Sequence, residues 1–230
     1  WSLLGIESQK PIINEQSRAF NFTNEEGYGP TSRVLKNIVG LWIVQECRRD
    51  WAKRGQEYSY AELAKLADAA PPLRSLINPS DPRFLKPDNM PQKIVDYCRE
   101  TGQPAPTAPG EFVRCICESL ALLYRRTLQE IETLTGRQIR GLHIVGGGSQ
   151  NVLLNQCSAN ATGRPVYAGP VEATAIGNCL IQALALGHLE SLAALREVVR
   201  ASFPINTYQP QDAATWEQAH TRFQQLLARS

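Results

Sequence analysis

Apolar and polar positions along this chain follow two alternating periods, and the switches between them outline its elements. Trp1 to Ile6 reads as extended and apolar. Residues 11–14 and 20–23 set β-branched or aromatic side chains against polar ones, so short strands and turns are expected over residues 1–30. Gly27, Gly29 and Pro30 then break the pattern. From Val34 to Trp51 the residues Val34, Leu35, Ile38, Leu41 and Trp42 fall at helical spacing, which predicts one long, largely buried helix. Thr31 or Ser32 can cap its start, and Arg48, Arg49, Lys53, Arg54 and Gly55 suit its end. Ser59 and Glu62 make a capping box for a second helix, which Pro71 and Pro72 end. Residues 73–91 are proline-rich and predict a loop with one short strand.

Helical patterning resumes at 92–101, with Gly102 as the stop. Gln103 to Gly110 is a stiff linker, too short to be a domain boundary. Residues 111–135 predict the longest helix, striped by Phe112, Ile116, Leu120, Leu123, Leu128 and Ile131 and closed by Gly136. A strand at 139–145, a helix at 151–161, a strand at 165–168 and a helix at 171–186 follow. That order implies a βαβ unit, with a parallel pair of strands. Two helices, at 189–201 and 213–229, finish an α/β chain read as one domain over 1–230.

Composition narrows the function classes. At 230 residues, with 43% hydrophobic and 20% charged, the chain can bury a sizeable core. A net charge of +2 lacks the electrostatic footprint of a nucleic-acid binder. No stretch approaches the ~18 uninterrupted apolar residues of a membrane span, and the opening has no signal-peptide pattern. A cytoplasmic protein is expected. The chain starts on Trp1 and its one methionine is Met90, which reads as a piece of something longer. Six cysteines and three scattered histidines form no zinc-ligand spacing, so no metal site is expected. Buried thiols are the simple reading. Cys98 and Cys115, on neighbouring predicted helices, could pair, and the sequence leaves that open.

Three segments carry candidate chemistry. In the first, a predicted strand runs into Gly146-Gly147-Gly148 and then into the polar start of a helix, Ser149-Gln150-Asn151. Consecutive glycines let a ligand approach bare backbone, and a helix start offers unpaired N–H groups, which suits a nucleotide. The alternative is a tight turn packed on a neighbour. The loop is neither a Walker A motif nor a good dinucleotide fingerprint. In the second, Asn37, Leu41 and Gln45 share one face of the predicted 34–51 helix, with Gly40 in mid-helix. Their amides either satisfy backbone or reach into a cleft. In the third, small residues Ala173, Ala175 and Gly177 open a helix after Gly169-Pro170, permitting close approach of backbone or of a flat ring. The four tryptophans and His143 read as packing residues, Asp81 and Asp88 as turn formers, and no hydrolase triad stands out.

In combination these segments say more. Trp1-Ser2-Leu3-Leu4-Gly5, Asn21-Phe22-Thr23-Asn24-Glu25, Leu35-Lys36-Asn37 with Gly40-Leu41-Trp42 and Gln45-Glu46, the Gly146–Asn151 segment, and Ala168-Gly169-Pro170 with Glu172-Ala173 and Gly177-Asn178 occur in this order. Over roughly residues 1–205 the chain resembles the C-terminal half of the FGGY carbohydrate kinases, in the branch acting on L-rhamnulose. The resemblance implies an actin-like, ribonuclease-H-like domain, a mixed sheet flanked by helices, that holds the adenosine of ATP across a cleft from a sugar-binding domain. Carried onto this sequence, Gly146, Gly147, Gly148 and Gln45 would contact ATP, Asn151 would lie near the adenosine, and Asn37 would reach the sugar. The catalytic carboxylate, most phosphate ligands and the groups that position Mg2+ would precede Trp1. The resemblance therefore implies no catalytic residue in this chain, and an exposed cleft face able to self-associate. A xylulose- or glycerol-type kinase of the same family and a nonenzymatic actin-like ATP-binding module remain as alternatives.

Overall fold

The computed structural model describes residues 2–228. Trp1 and position 229, the last of the expected C-terminal helix, lie outside the described residues, as does 230.

The chain begins with an antiparallel sheet in the order β1-β3-β2, built from β1 (Ser2–Ser8), β2 (Thr23–Glu26) and β3 (Ser32–Ile38). The short helix α1 (Glu15–Ala19) intervenes, with Asn14 and Ser17 closing a reciprocal cap. In β1 and β3 the partners run from Ser2 opposite Ile38 to Ser8 opposite Ser32. Gly5 lets the strands meet, since a Cβ there would lie 2.2 Å from the Val34 carbonyl oxygen.

Residues 32–38 thus correct the expected 34–51 helix. Val34 and Ile38 are buried on one face and Leu35 on the other, while Arg33 and Asn37 are exposed, so the apolar pair Val34–Leu35 interrupts the period-two signal. A helix, α2 (Trp42–Lys53), starts only after Val39, Gly40 and Leu41. Asn37, Leu41 and Gln45 therefore do not share a helix face. Gly40 is a turn residue, placed where a Cβ would meet Ser2 Oγ at 2.3 Å.

The middle of the chain follows its sequence signals. Ser59 and Glu62 cap α3 (Tyr60–Asp68) as expected. Residues 73–89 form a loop with one 3-10 turn at Pro82–Leu85, and no strand appears in it. Asp81 caps that turn through the Arg83 N–H at 2.9 Å, while Asp88 takes a φ of 66° and pairs with Lys53. Helix α4 (Met90–Glu100) leads to the 27-residue α5 (Pro109–Thr135), which Gly136 closes with a φ of 63°. Helix α5 packs against α2, α3 and β1. Ile116, Leu120, Ala121 and Leu122 on it are wholly buried. Lys36 of β3 donates to Glu130 of α5 at 2.8 Å, tying the sheet to this helix. Cys98 and Cys115 are free thiols that hydrogen-bond each other between α4 and α5.

The second sheet holds β4 (Leu142–Ile144), β5 (Val166–Ala168) and β6 (Asn206–Tyr208) in that order. β4 and β5 are parallel, as the strand–helix order implied, and join through α6 (Val152–Thr162). β6, unsignalled in the sequence, adds antiparallel to β5. Helices α7 (Ala173–Ala185), α8 (Leu192–Ser202) and α9 (Ala213–Leu227) complete the chain. The expected mixed sheet is β4-β5-β6, and the antiparallel β1-β3-β2 sheet stands beside it.

Candidate functional site

A cavity of about 760 Å3 opens between the two sheets, lined by β1 on one side and β4 on the other. Its floor is apolar, with Leu4, Ile38, Leu63, Val113 and Leu154 among the lining residues. Its polar positions include Gln45, Gly147, Gly148, Gln150 and Asn151. Two segments about 100 positions apart in the chain are therefore brought to one concave surface.

The glycine turn is shaped by its first member. Gly146 takes φ 76° and ψ −165°, which a side chain would resist. Its N–H donates to the Pro170 carbonyl at 3.2 Å, and its own carbonyl accepts from the Ser149 N–H at 3.0 Å. Gly147 to Gln150 then make one 3-10 turn, and Asn151 caps α6 by accepting from the Leu154 N–H at 2.9 Å. Among the described residues, the N–H groups of Gly147 and Gly148 have no partner in the protein. A Cβ on Gly147 would meet nothing within 4 Å, and one on Gly148 would meet only the Ile144 side chain at 3.7 Å. Bare backbone with free donors thus faces open space.

The other expected residues separate. Gln45, on α2, is exposed, and its side-chain amide has no partner among the described residues. Asn151 lines the cavity, but its oxygen caps α6 and its side chain also hydrogen-bonds the Cys117 thiol. Burial, aided by the nearby Glu118 carboxyl, pushes that thiol up to about 12. Asn37 is exposed on β3 and is not part of the cavity wall; its neighbour Ile38 is, as the alternation of a strand requires. His143, expected in the core, is exposed and stacks on Tyr167 with ring centres 4.9 Å apart. Trp51 and Trp216 are buried as expected, whereas Trp42 lines the cavity.

Sequence reasoning missed Tyr60, Tyr124 and Trp42 as parts of this wall. Their helical spacing signals packing and carries no mark of a cavity. The wall contains no carboxylate, lysine or arginine among its described residues. Besides the His143 imidazole, it offers N–H donors, amides and aromatic or aliphatic surface, a set suited to a flat, hydrogen-bonding ligand.

The profile of the FGGY family of carbohydrate kinases, C-terminal domain, matches residues 1–186. The chain belongs to this family. It is 50% identical to the rhamnulokinase of Bacteroides thetaiotaomicron over 227 residues, covering 99% of this chain and 46% of that protein. The rhamnulokinase of Bacillus subtilis is 43% identical over 212 residues, covering 92% and 43%. The chain therefore spans less than half the length of the curated relatives it matches. Among solved structures, xylulose kinase from Rhodospirillum rubrum superposes with a TM-score of 0.70 at 17% identity, covering 99% of this chain and 45% of that one. Plasmodium falciparum glycerol kinase with ADP gives 0.70 at 13% identity, with the same coverage. At such low identity the likeness establishes the fold, and the FGGY domain is accordingly of the actin-like α/β class.

Proposed function

We propose that residues 1–230 form the C-terminal, nucleotide-binding domain of a cytoplasmic kinase that transfers the γ-phosphoryl group of ATP to the 1-hydroxyl of L-rhamnulose. The observation that carries this reading is the cavity that joins Gln45 to the free N–H groups of Gly147 and Gly148. Its support on substrate is the 50% identity to a rhamnulokinase over nearly the whole chain. No described helix is long and apolar enough to cross a bilayer.

The residues fit a nucleotide. A backbone turn with unsatisfied donors and room above it can take phosphate or ribose oxygens, and the amide of Gln45 can donate and accept beside the bound group. Asn151 acts mainly by capping α6 beneath the turn. Asn37, exposed and outside the cavity, is assigned to the sugar. The residues do not fit Mg2+: the described residues contain no cluster of three His, Cys, Asp or Glu side chains. In this reading the metal and the general base belong to the part of the kinase that lies outside this chain.

Phosphoryl transfer depends on positioning and on neutralising charge at the transferred group. With no carboxylate, lysine or arginine among the described residues of its wall, the cavity can hold the donor but lacks the groups that neutralise charge at the transferred phosphoryl group. ADP titration of the 230-residue chain by calorimetry tests the binding half; saturable heat is expected, and a folded chain giving none would refute it. A panel of L-rhamnulose, xylulose and glycerol on the complete kinase tests the substrate, with preference for L-rhamnulose expected.

A further inference from the structure

The free N–H groups of Gly147 and Gly148 can face a ligand only if the carbonyl side of the turn is held from behind. Three hydrogen bonds do that. Ser149 Oγ donates to the Gly146 carbonyl at 2.7 Å, alongside the Ser149 N–H at 3.0 Å. Asn155 Nδ2 donates to the Ser149 carbonyl at 2.8 Å from inside the first turns of α6. Both side chains are withdrawn from solvent, Ser149 at 6% and Asn155 at 0% exposed, and neither lines the cavity.

Asn155 is the informative one. Its Oδ1 is buried with no hydrogen-bond partner among the described residues. An unpaired buried acceptor lowers stability, and an apolar side chain of similar size would avoid it. Such an amide is kept for its donor, and that donor is spent on the glycine turn.

We propose that Ser149 and Asn155 are positioning residues that brace the Gly146–Ser149 turn from its carbonyl side and so set the direction of the Gly147 and Gly148 N–H groups. The proposal rests on the nucleotide reading of the same turn. Neither residue touches the nucleotide. Each acts through the backbone that does.

The test compares the wild-type chain with Ser149→Ala, Asn155→Leu and the hydroxyl-retaining Ser149→Thr. ADP affinity is read by calorimetry, thermal unfolding by circular dichroism, and amide exchange at Ser149 and Asn151 by NMR without nucleotide. Ser149→Ala and Asn155→Leu are expected to weaken ADP binding roughly fivefold each, the scale of one neutral hydrogen bond. Both amides should exchange faster while the unfolding midpoint stays close to wild type, and Ser149→Thr should restore affinity. Unchanged exchange at both amides in folded Ser149→Ala and Asn155→Leu overturns the bracing, whatever the nucleotide does. Faster exchange with unchanged ADP affinity overturns the link between bracing and binding. A wild-type chain that binds no ADP refutes the nucleotide reading, while the exchange data still judge the brace.

Discussion

At the scale of single residues, glycines of very different purpose look alike in sequence. The run at 146–148 attracts notice, yet only Gly146 adopts a positive φ, and the space above Gly147 is empty. Gly5 and Gly110 are isolated in sequence and structurally the more demanding. A Cβ on Gly5 would lie 2.2 Å from the Val34 carbonyl oxygen, and one on Gly110 2.3 Å from that of Leu66. These contacts separate function from fold. Gly147→Ala should leave the unfolding midpoint nearly unchanged while weakening ADP binding about tenfold, or about 1.4 kcal/mol, because its methyl group takes up the ligand's approach. Gly5→Ala should lose about 3 kcal/mol of stability, since neither strand can move without disturbing the sheet. Urea denaturation and ADP titration of the two variants measure both effects. A Gly147→Ala chain that binds ADP as wild type does would remove the turn from the site.

At the scale of elements, the sequence was legible wherever local chemistry decided the outcome. The Ser59–Glu62 box, the stop at Gly102, the start of α6 at Asn151 and the stripe of α5 all appear where their residues place them. β3 was not legible, because the adjacent apolar Val34 and Leu35 interrupt its alternation and Val34, Ile38, Leu41 and Trp42 happen to fit a helical period. That misreading put Asn37 and Gln45 on one face. The three glycines and Gln45 were legible as candidates, but the cavity that unites them depends on contacts across the fold that no local pattern encodes. The same holds for the Glu118 junction. Glu118 of α5 accepts from the Leu73 N–H and from Arg114 Nε, both at 2.9 Å, and Arg114 holds the Ala67 and Asp68 carbonyls at the end of α3. Burial raises the Glu118 carboxyl to about 7 against the downward pull of Arg114 and the Leu73 N–H. In the unfolded chain it ionises near 4.5. Between those two values the native state binds more protons than the unfolded one, so stability falls as pH rises through that window and levels off above it. The contribution reaches up to about 3 kcal/mol. Urea denaturation between the two limits should show this decline in the wild type and a flatter profile in Glu118→Gln; parallel profiles would show that the carboxyl is ionised throughout.

At the scale of the whole molecule, the apolar surface left uncovered fits a chain that spans less than half the length of its relatives. Helix α7 is strongly apolar, with Ile176, Leu180, Ile181 and Leu184 along it, yet none of its residues is buried. Leu3 on β1 and Val145 after β4 stand 56% and 52% exposed at the cavity wall, Val152 at the start of α6 is 63% exposed, and Leu186 at the end of α7 is 74% exposed. Exposed large apolar side chains of this kind favour association. The charges offer little opposition, since a net charge of +2 gives weak repulsion between copies. The 230-residue chain should therefore self-associate weakly, with a sedimentation coefficient that rises with concentration and is little affected by salt, because burial rather than ion pairing drives it. Val152→Glu and Leu186→Glu place charges on two separate parts of that surface. The variant that restores concentration-independent sedimentation identifies the contact as the start of α6 or as the end of α7. If the wild type already sediments as a monomer at every concentration, the exposed apolar surface is not a self-association face.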